Sequence, residues 1–212
     1  LCIVQTEVPC VNKLQSTMPE DYYTHLEGQY RDMVNQHYNH PCILFWGLGN
    51  EAKVDNKTFA KNKIEGYAAI VKSLDSERLV GLVGHHLTNP SDYFGDPDVD
   101  WFGSNLYTGW YQDPNSNDPT SNLNKCISNT INRRSIPYAL SEYGCGGTQQ
   151  CHSDDPATTT TRGNKPRHDI EYQMWWHEGH IAAIKEMSQL LFTSQWQLFD
   201  IAVSKRNEGY NL

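Results

Sequence analysis

Six apolar, β-rich runs recur along this chain with amphipathic segments between most of them, and that alternation constrains the fold more than any single motif. The runs are CIVQTEV (2–8), CILFWGLGN (42–50), LVGLVGHH (79–86), DWFGSNLY (100–107), PYALSEYG (137–144) and LLFTSQWQLFD (190–200). They are near-continuous rather than alternating, which is the pattern of strands covered on both faces. Leu26, Tyr30, Met33, Val34 and His37 share one face of a first predicted helix, and Ala60, Ile64, Tyr67, Ala68, Val71 and Leu74 one face of a second. A third pattern runs through Leu123, Ile127, Thr130 and Ile131, and a fourth through Ile170, Met174, His177, Ile181 and Ile184. Pro19 and the triplet Asn39-His40-Pro41 are start and stop signals for the first helix, and 87–99 reads as loop. Strand, helix, strand, helix means parallel βα units.

An open doubly wound sheet would show a glycine-rich phosphate turn after its first strand, and none is present. An eight-stranded βα barrel takes about 250 residues. With 212 residues and six strands, the expected class is α/β, a (β/α)8 TIM barrel represented by about strands 3 to 8. The segment 154–169 reads as a surface loop, no linker or internal repeat divides the chain, and residues 1–212 are expected to form one partial domain.

Charge and hydropathy exclude some partners. The formal net charge is −8 and the sequence has no basic run, so a nucleic-acid backbone, which is held by clustered Lys and Arg, is not expected. No apolar run approaches the roughly 20 residues of a membrane span, and the start shows no signal-peptide pattern. The six cysteines make no framework of repeated spacing. Cys2 and Cys42 lie in strand-like runs and are expected to be buried, whereas Cys145 and Cys151 share a polar segment in which a local disulfide is open in an oxidising compartment.

In a βα barrel the reactive side chains sit where strands end. Glu51 follows the second run and Glu142 lies near the end of the fifth, 91 positions later (142 − 51). Two carboxyl groups facing each other across a pocket are the apparatus of glycoside hydrolysis: one gives a proton to the leaving oxygen, and the other attacks or activates water. Ordinary strand-end carboxylates are the plainer alternative, and the coincidence of two at corresponding ends weighs against it.

The residues around both carboxylates are familiar. NHPCILFWGLGNEA (39–52) followed by ALSEYGCGG (139–147) resembles the catalytic barrel of glycoside hydrolase family 2, together with IVQTEVP, SNLYTGWY, YQMWWHEGHIAAIKE and QWQLFDIAVSKRNEG. That resemblance implies a retaining hydrolase that removes a terminal β-linked sugar from a glycoside or oligosaccharide. Glu51 would be its acid/base and Glu142 its nucleophile. Asn50 would bond the sugar 2-hydroxyl, Tyr107 would orient the nucleophile, Asn105 would line the same strand end, Trp196 would be an apolar platform under the sugar, and Glu7 would contact sugar or support the acid/base. EYGCGG, TGWY and FDIAVSKRNEG look most like the β-galactosidase branch, so β-D-galactose is the expected sugar. β-Glucuronidases and β-mannosidases share several segments, and the glucuronidases read the sugar carboxylate with an Asn and Lys pair placed further along than Leu212. A catalytically lapsed sugar-binding barrel is the alternative of another class.

The resemblance further implies a bacterial protein with the first barrel strands and accessory β-sandwich domains outside this chain, and it is compatible with a homo-oligomer. Some family members hold magnesium near the acid/base, but no cofactor is expected here. His177 and His180 stand three apart, not the four of a zinc-protease helix, and Cys151-His152 lacks partner ligands. His85 and His86 end a strand without any motif to place them.

Overall fold

A computed structural model of the chain describes residues 2–11, 13–85, 90–112, 118, 120, 123–124, 127, 136–154 and 168–199. Two compact units divide it, one formed by 1–105 with 135–139 and the other by 106–134 with 140–212.

In the first unit the order is β1 (Val4–Glu7), α1 (Glu20–His37), β2 (Ile43–Asn50), α2 (Lys57–Leu74), β3 (Leu79–His85), α3 (Pro90–Phe94) and β4 (Trp101–Asn105). Strands β1 to β4 lie side by side in chain order, each parallel to the next, as βα crossovers require. Strand β5 (Tyr138–Tyr143) begins in this unit, where Phe102 N donates to Pro137 O at 3.1 Å. Trp46, Leu48, Val80, Leu82, Trp101 and Phe102 are buried, so the near-continuous apolar runs have partners on both faces.

The helices follow from their apolar stripes and ends. In α1 Tyr23, Leu26, Tyr30, Met33 and Val34 are buried, and Glu20 and Asp21 place negative charge on its first turn. In α2 the Asn56 side chain accepts from Phe59 N at 3.0 Å, which satisfies one of the orphan amides of the helix start. Its buried face, Ala60, Ile64, Tyr67, Ala68 and Val71, meets α1 where the Tyr30 and Tyr67 rings stand 4.7 Å apart. After α2, the buried Asp75 accepts from Trp46 Nε1 at 3.0 Å and pairs with Arg78 Nη1 at 2.6 Å. The remaining Arg78 donors reach the carbonyls of Tyr38, His40 and Ile43, so one side chain ties the end of α1 to the start of β2.

In the second unit β5 continues to Tyr143, α4 spans Ile170–Lys185 and β6 spans Leu190–Gln195. Trp196 N donates to Tyr143 O at 2.8 Å, which sets the end of β6 against the end of β5. Leu123 and Ile127 are buried as the third pattern predicts, while Thr130 and Ile131 lie outside the described residues, as does Cys126.

Several expectations are corrected. The 87–99 connection contains the short helix α3. The buried face of α4 is Tyr172, Trp176 and His180, whereas Met174 is 58% exposed and Ile181 43% exposed. The Met and Ile side chains gave the stronger apolar signal, but the aromatic side chains have N–H and O–H groups that reach backbone carbonyls, so the polar-tipped face is the one that packs. Cys2 and Cys42 are exposed, because they lie just outside β1 and β2 rather than within them. Cys145 and Cys151 are both buried and unbridged.

Candidate active site

Glu51 stands at the C-terminal end of β2, and the backbone there is specialised. Between Gly47 and Asn50 the pairing with β3 advances three residues on β2 for two on β3, a one-residue bulge. Gly49 has φ +148°, and a Cβ there would lie 2.7 Å from Cys10 O. Glu51 itself has φ +49°, a conformation that costs a non-glycine residue about 1–2 kcal/mol. It is held by its N–H, which donates to Val83 O at 3.0 Å. Strain of this kind concentrates where function needs a side chain aimed off the pleat.

Asn105, at the end of β4 and fully buried, organises this strand-end group. Its Nδ2 donates to Glu51 Oε1 at 2.8 Å and to Asn50 Oδ1 at 3.0 Å. Both partners accept, so the amide nitrogen, not the oxygen, faces them. With Oε1 already accepting an N–H, the proton of a neutral Glu51 belongs on Oε2. His85 Nε2 lies 3.9 Å from that oxygen, at the end of β3. Sequence reasoning named His85 but could not place it. Glu7 ends β1 opposite Gly47, exposed, and accepts from Gln5 Nε2 at 3.1 Å.

The second unit holds the other carboxylate. Tyr107 Oη donates to Glu142 Oε2 at 2.6 Å, and Leu106 N donates to Glu142 O at 2.9 Å. Residues 107–112 close on themselves: Tyr107 O accepts from Trp110 N and Tyr111 N at 3.0 Å, while Gln112 Oε1 accepts from Tyr107 N at 2.8 Å. Gly109, at φ +77°, supplies the left-handed turn residue. The Tyr107 ring packs edge-on against Tyr111 with centroids 5.2 Å apart.

Trp196 follows β6 and is 46% exposed. Gly144 fixes its approach, since a Cβ there would lie 2.2 Å from Trp196 O. Thus Asn50, Glu51 and Asn105 are joined by hydrogen bonds in one unit, Tyr107 and Glu142 in the other, and Trp196 meets the strand that bears Glu142. Of the residues that support the Tyr107 turn, Thr108, Trp176 and His180 lie in the segments SNLYTGWY and YQMWWHEGHIAAIKE, which gave no sign of that role, and Gln112 lies outside both. His86 lies outside the described residues.

Among the described residues no group of three or more His, Cys, Asp or Glu side chains is placed to hold a metal ion, and no helix is long and apolar enough to cross a membrane.

Each unit thus carries a strand-end carboxylate held by a side-chain donor, Glu51 by the Asn105 amide and Glu142 by the Tyr107 phenol. The profile of glycosyl hydrolases family 2, TIM barrel domain, matches residues 5–190, and the chain belongs to that family. It is similar to a β-glucuronidase of Bacteroides fragilis, with 27% identity over 185 residues that cover 84% of this chain and 24% of the relative. A Mus musculus β-glucuronidase is 29% identical over 143 residues, 67% of this chain and 22% of the relative. Among solved structures, a calcium-binding mutant of Bacteroides uniformis β-glucuronidase 2 superposes with a TM-score of 0.81 at 24% identity, covering 98% of this chain and 25% of that one. A Bacteroides fragilis protein provisionally named a β-galactosidase gives 0.77 at 24% identity, covering 95% of this chain and 28% of the other. The fold is therefore that of a TIM barrel domain, with six of its strands in the described residues. The chain spans about a quarter of the length of the Bacteroides fragilis relative, 24%.

Proposed function

We propose that the complete protein containing this chain is a retaining β-glycosidase whose preferred sugar is β-D-glucuronate. The observation that carries the reaction class is the 2.6 Å hydrogen bond from Tyr107 to Glu142, because a donor fixed on one carboxylate oxygen holds the group in one orientation for in-line attack. Glu142 forms a bond to the anomeric carbon as the bond to the leaving oxygen breaks, and Glu51 gives that oxygen its proton from Oε2. Water then attacks the same carbon, Glu51 takes the water's proton, and Glu142 departs as carboxylate. Two inversions give net retention. Asn50 supports the first step by bonding the 2-hydroxyl, Asn105 keeps Glu51 aimed, and the exposed Trp196 offers an apolar face for the sugar ring.

Glucuronate displaces the galactose expected from sequence because the curated relatives in Bacteroides fragilis and Mus musculus are β-glucuronidases. β-Galactoside hydrolysis is the second reading, favoured by EYGCGG, TGWY and FDIAVSKRNEG. The test is kcat/KM of the complete protein on 4-nitrophenyl β-D-glucuronide and β-D-galactoside. A site built to bond the sugar carboxylate should favour the glucuronide by at least about a hundredfold. A reversed ratio returns the assignment to galactose, and no turnover of either by folded protein removes both.

A further inference from the structure

The loop that carries Tyr107 is clamped from behind by one face of α4. Tyr172, Trp176 and His180 recur at four-residue spacing on that face and are buried. Tyr172 Oη donates to Gly109 O, Trp176 Nε1 donates to Thr108 O at 2.8 Å, and His180 Nε2 lies 3.1 Å from Thr108 Oγ1. His180 Nδ1 lies 3.0 Å from Trp176 O, and a carbonyl can only accept, so Nδ1 bears the proton. Nε2 is then an acceptor, and the Thr108 hydroxyl must donate to it.

The ring is locked in that role. His180 stacks on Trp176 with centroids 3.5 Å apart, and Tyr143 lies nearly parallel to it at 6.2 Å. Burial lowers its pKa to about 4, which keeps it neutral and its lone pair available. Thr108 is 1% exposed, so no solvent competes for its hydroxyl. The clamp thus fixes both the side chain and the carbonyl of the residue immediately after Tyr107.

We propose that His180, through Thr108 and beside Trp176, is a positioning residue for the glycosylation step, holding the 107–112 turn so that the Tyr107 hydroxyl stays on Glu142. The inference rests on the reading of Glu142 as nucleophile. It differs from plain core packing in what it couples: loss of the Thr108 to His180 hydrogen bond should slow chemistry at Glu142 without weakening sugar binding.

The experiment is inactivation of the complete protein by an activated 2-deoxy-2-fluoro-β-glucuronide and its galactoside counterpart, with the adduct located by peptide mass. Wild type is compared with His180→Leu, His180→Gln, Thr108→Val and Thr108→Ser. The amide oxygen of Gln occupies the place of Nε2 and can still accept from Thr108, and Ser keeps the hydroxyl. A buried hydrogen bond lost at one remove should lower the inactivation rate constant by about 5- to 50-fold in His180→Leu and Thr108→Val, with the inhibitor dissociation constant within about twofold. His180→Gln and Thr108→Ser should recover most of that rate. If His180→Leu does not fold, the comparison of Thr108→Val with Thr108→Ser decides the matter alone. Wild type labelled on Glu142, with Thr108→Val and Thr108→Ser labelled equally fast, overturns the positioning role and leaves the proposed function standing. A wild type that forms no adduct on Glu142 with either sugar overturns the nucleophile, and this role falls with it.

Discussion

At the scale of single residues, two side chains hold the two strand-end carboxylates in place. Tyr107 touches Glu142 by a 2.6 Å hydrogen bond; in the proposed mechanism that carboxylate attacks in its ionised form, and charge-assisted bonds are about twice as strong as neutral ones. Tyr107→Phe in the complete protein should lower kcat by about 10- to 100-fold while KM changes little, measured on an aryl glycoside. An equal loss spread into KM would mean that the phenol binds sugar instead. Asn105→Leu removes both donors that aim Asn50 and Glu51, and its loss should be larger on substrates with poor leaving groups, which in the proposed mechanism depend on the proton from Glu51. Both residues were legible in the sequence only through their place beside motifs at strand ends. His85, which lies 3.9 Å from Glu51 Oε2, was not, because a histidine closing an apolar strand looks the same whether it faces a site or solvent. The φ of +49° at Glu51 is invisible to composition altogether, since it arises from a bulge that only the neighbouring strand's register reveals.

At the scale of elements, α4 shows why periodicity misled and what the true face does. A stripe of Met and Ile and a stripe of Tyr, Trp and His compete on one helix, and the second wins because its N–H and O–H tips satisfy carbonyls of the 108–109 turn that would otherwise be buried without donors. Helices α1 and α2 posed no such conflict, and their buried residues are close to those the pattern selects. The same burial makes α4 sensitive to acid. The folded pKa of His180 lies at about 4 because burial disfavours its charged form, against about 6.5 in an unfolded chain. Between those values the unfolded state binds the extra proton, so stability is fully present above the unfolded pKa and is lost as pH falls toward the folded one. The contribution is about 3 kcal/mol at neutral pH. Urea melts of the complete protein from pH 7 to 4.5 should therefore show a fall in stability that His180→Gln reduces. Equal slopes for wild type and variant would show that other groups set the acid response.

At the scale of the whole molecule, the physics of sheet edges bears on what 212 residues can do alone. A TIM barrel closes eight strands on one another and so has no edge, whereas the described residues hold six. Strand β1 pairs with β2 along Val4–Glu7, and its residues are half-buried or exposed. Strand β6 runs from half-buried to exposed, and Leu198 and Phe199 beyond it are 85% and 77% exposed. Apolar side chains beside strands of this kind are the usual templates for intermolecular pairing. A polypeptide of residues 1–212 produced alone should therefore self-associate, eluting ahead of a 24.3 kDa monomer in size-exclusion chromatography, binding a hydrophobic dye and giving no hydrolysis of nitrophenyl glycosides. The complete protein should not bind the dye. A monodisperse monomer of 1–212 with a single cooperative melt would show instead that the two units bury their own edges, and the partial-domain reading of this chain would have to be given up.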